Sequence, residues 1–201
     1  MRARVDGRGS RRRLLWLPAV IAAAVALVAG VAAAAPSKPV VIQDAAEDVT
    51  GPLDLQRVSL SRASDGRLRA VLTFAAEVTP ANLLADTGPP GSACLRIWTA
   101  ADADPAAMRP DRLVCVTAGK DEKLRAGVFE QRDAGLPRRL ANASVKPNAS
   151  GRSFVVRVSQ SSLGRPALIR FAAESTRAGC DRTSCVDSAP DGGAVRRFRL
   201  R

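Results

Sequence analysis

The chain predicts an all-β fold, an antiparallel β-sandwich of about ten strands with one short helix, preceded by an N-terminal signal or anchor helix. Three observations carry this expectation. Short runs of alternating apolar residues recur along residues 40–200, with Gly, Pro, Asp and Asn between them, which is the pattern of many short strands joined by turns. Helical periodicity is nearly confined to residues 79–86. All four cysteines follow a basic and then strongly apolar leader, so they belong to a compartment where small domains are cross-linked.

The leader comes first. Arg2, Arg4, Arg8, Arg11, Arg12 and Arg13 precede an apolar run over residues 14–35, which ends in Ala33-Ala34-Ala35-Pro36. A positive segment, an apolar segment and an A-x-A site together read as an export signal. Residues 1–35 are therefore expected to be a signal peptide, and residues 36–201 one mature domain. An uncleaved membrane anchor is the alternative, because about 20 apolar residues suffice to span a bilayer. Pro18 and the crowding of small residues at the outer end favour cleavage. Ser10-Arg11-Arg12-Arg13-Leu14-Leu15 resembles a twin-arginine motif, so both general and twin-arginine export stay open. With no cysteine near the cleavage site, lipid attachment is excluded.

The mature domain reads element by element. Val40-Val41-Ile42 is a β-branched run and a first strand. Leu53, Leu55, Val58 and Leu60 alternate with one slip, as a bulge produces. Asp65-Gly66 is a hairpin turn, after which Leu68, Ala70, Leu72 and Phe74 alternate strictly. Thr79-Pro80 supplies an N-cap and a first-turn proline for the short helix. Cys94-Leu95-Arg96-Ile97-Trp98 and Leu113-Val114-Cys115-Val116 are two further strands, separated by the Asp- and Pro-rich loop 102–110. Residues 124–130, 140–145, 154–158, 166–171 and 195–200 complete the set.

Four cysteines allow three pairings. Cys94 and Cys115 lie in strand-like runs that can be neighbours, and Cys180 and Cys185 can then staple the short loop between them. A four-cysteine zinc site would need close C-x-x-C spacing at both ends, which Cys94 and Cys115 lack.

Charge and missing residue types narrow the function. Lys and Arg number 31 against 19 Asp and Glu; removing residues 1–35 leaves 25 against 18, a net of +7. Such a balance favours acidic partners, among them cell-wall polymers and anionic headgroups. The basic residues are scattered singly, except in Arg196-Arg197-Phe198-Arg199-Leu200-Arg201. Nucleic acid is not an expected partner, because aromatics are few and tyrosine is absent. There is no histidine, which removes Ser-His-Asp catalysis and every His-ligated metal or haem site. No G-x-S-x-G, P-loop or G-x-G-x-x-G occurs. Hydrolysis by two carboxylates needs no histidine and stays open.

Two acidic stretches stand out. Asp44, Asp48 and Asp54 lie in one, Asp187 and Asp191 in the other. Carboxylates on loops are calcium's preferred ligands, so these five residues are the candidate site for a structural Ca2+; no other cofactor is expected. The competing reading is ordinary turn chemistry, in which Asp caps its own backbone. Trp98 shares a strand face with Cys94 and Arg96 and is expected to pack on the disulfide. Sequons occur at Asn142 and Asn148.

The opening Asp44-x(3)-Asp48-x-x-Gly51-Pro52-Leu53-Asp54-Leu55, followed by two alternating strands, resembles secreted actinobacterial β-sandwich proteins. Those are distantly similar to family 9 carbohydrate-binding modules and DOMON domains. The resemblance spans most of residues 40–201 and implies ligand binding on a sandwich face, with structural calcium in some members. This chain departs from the family in having Trp98 as its one mature tryptophan, and Met108, in a loop, as its one mature methionine. The expected role is a secreted, non-catalytic binding or cell-envelope-associated module. Its partner would be a cell-wall polymer or another secreted protein, met through an edge strand in the latter case. A carboxylate-type hydrolase of polysaccharide is the alternative. Contact with a membrane is expected only through residues 14–35, if they are uncleaved.

Overall fold

The computed structural model describes residues 38–45, 49–180 and 185–200; the leader lies outside them, as does Asp48. Among the described residues eleven strands form one continuous antiparallel sheet. They are β1 (Val40–Gln43), β2 (Leu55–Arg62), β3 (Leu68–Phe74), β4 (Ser92–Trp98), β5 (Arg112–Ala118) and β6 (Leu124–Glu130). Then come β7 (Arg138–Pro147), β8 (Ser153–Val158), β9 (Leu168–Thr176), β10 (Val186–Ala189) and β11 (Arg196–Arg199). Their spatial order is β1-β2-β3-β8-β7-β6-β5-β4-β9-β10, and β11 pairs β9 beside β10.

The all-β expectation holds, and most expected strands are present. The bulge falls between Leu55 and Arg57. Gly66 makes the β2–β3 turn at φ +76°, a backbone conformation that costs glycine nothing. The expected short helix is a 3-10 turn over Pro80–Leu83. Its capping box is formed: Asn82 Oδ1 accepts the Thr79 backbone N–H at 2.7 Å.

One element was missed. Residues 187–189, read as part of an acidic loop, lie in β10 instead. Val186 is exposed there while Asp187 and Ala189 are buried, so the apolar alternation is inverted and the strand is illegible by hydrophobicity.

The sheet curls because β7 serves two neighbours. Its residues 138–143 pair with β6 and residues 144–147 with β8. The ends then approach, β10 packing on β2 and β11 on β1. Inward side chains from both halves make one core, including Leu55, Leu60, Leu72, Phe74, Leu95, Ile97, Phe154 and Phe171. Phe74 and Phe154 meet edge-on with centroids 5.2 Å apart, the preferred arrangement of two ring quadrupoles.

Candidate functional site

The closing seam brings together one residue from each acidic stretch, Asp54 and Asp187. Asp187 is buried on the inner face of β10, opposite Ser175 of β9. Its Oδ2 accepts the backbone N–H of Leu55 at 2.5 Å. Ser175 Oγ donates to the carbonyl of Leu53. Asp54, also buried, lies between these two contact points, and its carbonyl accepts the Ala75 N–H. Asp44 follows β1, and its backbone N–H donates to Gln56. Asp191 is apart: it is exposed in the turn Asp191–Gly193, after the cis Ala189–Pro190 bond.

Calcium takes six to eight oxygens. The described residues bring Asp54 and Asp187 to the seam, and among them no group of three or more metal-ligating side chains gathers. What is on view is carboxylate and hydroxyl binding backbone groups that would otherwise be buried without partners.

The cysteines lie at disulfide distance in the expected pairs. Cys94 and Cys115 are directly opposite on β4 and β5 with Cα atoms 4.0 Å apart. Cys180 and Cys185 have Cα atoms 6.1 Å apart. This is compatible with an oxidising, extracellular environment.

Trp98 is buried, though not against the disulfide. It packs with Ala103, Ala172 and Val195 beneath the loop that follows β4, and its Nε1 donates to the Met108 carbonyl at 2.8 Å. Asp111 ties that loop down by accepting from the Thr99 backbone N–H at 2.8 Å. Arg96 lies 5.4 Å from the Trp98 ring centroid and 3.5 Å from Glu174. Burial raises the Glu174 carboxyl above its ordinary range, against the pull of Arg96. A recess of about 310 Å³ opens here, between Pro105 and Gly192.

A strongly charged concavity lies elsewhere, on the outer face of β3, β8 and β7. Alternation turns Leu68, Ala70 and Leu72 inward, so Arg69 and Val71 face out. On β8 the same rule turns out Val155 and Arg157, and on β7 Ser144 and Lys146. Register then aligns them: Arg69 is opposite Arg157, Arg157 opposite Ser144, and Val155 opposite Lys146. Arg67 flanks the row from the β2–β3 turn. The result is a groove of about 530 Å³ with Arg67, Arg69, Arg157 and Lys146 in its walls.

Two arginines directly opposite one another are unfavourable for the sheet. The available counter-charge is Asp65, 2.7 Å from Arg67 and 4.0 Å from Arg157. Hydrogen bonds from Arg67 hold its carboxyl below the ordinary range. Among the described residues Arg69 and Lys146 make no ion pair. Four cations against one carboxylate can fix an anion, because guanidinium groups offer forked donors to oxyanions.

Sequence reasoning passed over this groove because its cations come from three separate places in the chain. The available signal was their position: each occupies an outward position of an alternating strand. No protein-family model matches the chain, and no curated protein matches it in sequence.

Proposed function

We propose that the chain is a secreted, non-catalytic binding module. In this reading the two halves of its sheet work as a β-sandwich, and the groove over β3, β8 and β7 takes an acidic polymer of the cell envelope. The observation that carries the reading is the convergence of Arg67, Arg69, Lys146 and Arg157 on one concave face. The like-charged Arg69–Arg157 pair supports it further, because a folded protein gains nothing from that pair and an anionic ligand does.

The test is sedimentation of the protein with purified cell-wall material at low and high salt. The Arg69→Ala/Arg157→Ala double variant should lose most of the wall-bound fraction. Both side chains are on the outer face, so its unfolding temperature should stay near that of the parent. Equal sedimentation of parent and variant would refute the reading. Binding by exposed charges weakens as salt rises, so the comparison is informative at both ionic strengths.

A further inference from the structure

We infer that the groove recognises a linear phosphodiester polymer with short polyol spacers, an inference that rests on the anion-binding reading above. The argument is one of spacing and charge. Arg67 stands in the turn just before β3, and Arg69 and Arg157 are direct cross-strand partners, about 5 Å apart at Cβ. Lys146 pairs with Val155, which puts it one step further along and diagonal to Arg157, about 7–8 Å away. The cations therefore form three successive rows: Arg67, then the Arg69–Arg157 pair, then Lys146.

Asp65 neutralises one of the four cations through its contact with Arg67. Three positive charges remain, two at the Arg69–Arg157 pair and one at Lys146, so two cationic points lie about 7–8 Å apart along the groove. That matches a chain bearing one singly charged phosphodiester per short repeat. Phosphates joined directly to one another crowd their charge more closely than the rows do. A tetrahedral phosphate also suits the central pair, since its oxygens can meet guanidinium forks from two strands at once.

Single-stranded nucleic acid has similarly spaced phosphates, but it is bound on aromatic platforms that stack its bases. The walls here contribute Ser144, Pro147 and Val155 beside the cations, and no aromatic ring. The hydroxyl of Ser144, in the row of Arg69 and Arg157, lines the groove and suits a polyol spacer.

The experiment measures affinity of the full chain for a synthetic glycerol-phosphate oligomer of about six repeats, set against inorganic phosphate, polyphosphate and oligothymidylate. The oligomer length covers the three rows with room to slide. The N-terminal arginines are common to every variant, so differences between variants report the groove. The glycerol-phosphate oligomer is expected to bind at least about tenfold more tightly than any of the other three probes, about 1.4 kcal/mol. Lys146→Ala should weaken the oligomer by a larger factor than inorganic phosphate, because a single phosphate centres on the Arg69–Arg157 pair while the oligomer also reaches Lys146. If the oligomer binds no better than inorganic phosphate, polyphosphate or oligothymidylate, the polymer assignment falls while the anion groove stands. If Arg69→Ala/Arg157→Ala changes binding of none of the four probes, both fall together.

Discussion

Replacing Asp187 by alanine removes a buried acceptor from the point where the curled sheet closes. The Leu55 N–H that bonds Asp187 Oδ2 belongs to a fully buried residue, so water cannot take over. An unsatisfied buried donor costs about 1–3 kcal/mol, and a bond to a charged group is worth about 1.5–3 kcal/mol. A loss of about 2–3 kcal/mol is expected. At about 2–4 °C per kcal/mol for a domain of this size, the unfolding temperature should fall by about 4–12 °C. Asp187→Asn keeps an acceptor oxygen and should recover more than half of that. Ser175 sits opposite Asp187 and bonds Leu53, so Ser175→Ala should couple to Asp187→Ala by more than about 0.5 kcal/mol in a double-mutant cycle. The assay is thermal unfolding followed by circular dichroism under non-reducing conditions at neutral pH. An alanine variant that melts with the parent would refute the reasoning, as would an asparagine variant no better than alanine. A drop of the same size produced by chelator on the parent would also refute it, because the carboxylate would then be acting on a metal ion.

Other expectations follow from the same geometry. The Cys94–Cys115 bridge closes a separation of 21 residues and Cys180–Cys185 one of 5. Their removal should therefore cost about 3 and about 2 kcal/mol respectively, read as the difference in melting between C94A/C115A and C180A/C185A. Glu174 has its folded-state carboxyl raised by burial. Its contribution to stability is thus fully present below the unfolded value and lost as pH rises through the folded one. Glu174→Gln should melt higher than the parent at neutral pH, and the advantage should vanish below pH 4.5, the ordinary value; an advantage independent of pH would count against this. Arg69→Thr removes like charge opposite Arg157 and should stabilise the fold by a few tenths of a kcal/mol while weakening polyanion binding, measured as melting temperature and affinity on the same sample.

Legibility in the sequence followed the range of the interactions. The β2–β3 hairpin, its bulge and its Asp65-Gly66 turn were readable because all of them are encoded within neighbouring residues. So was the Thr79-Pro80 cap, although the turn it opens is shorter and tighter than an α-helix. β10 was not readable, because its inward positions hold Asp187 and Ala189, and the reason a carboxylate can be buried there is Leu55, far away in the chain. Trp98 was correctly expected to pack, but against the wrong partner. Its neighbours Ala103, Ala172 and Val195 come from the loop after β4, from β9 and from the segment before β11.

By itself the sequence determined an all-β antiparallel domain, its strand alternation, its main turns and the absence of histidine chemistry. These follow from local backbone preference, from period-two patterning and from composition, all of which act without knowledge of the fold. Only the tertiary structure decided which strands are neighbours, that Asp54 and Asp187 share one seam, and that Arg69, Lys146 and Arg157 share one groove. Strand alternation says which way a side chain points. Register between distant strands says what stands next to it, and that register is settled by burying one common core.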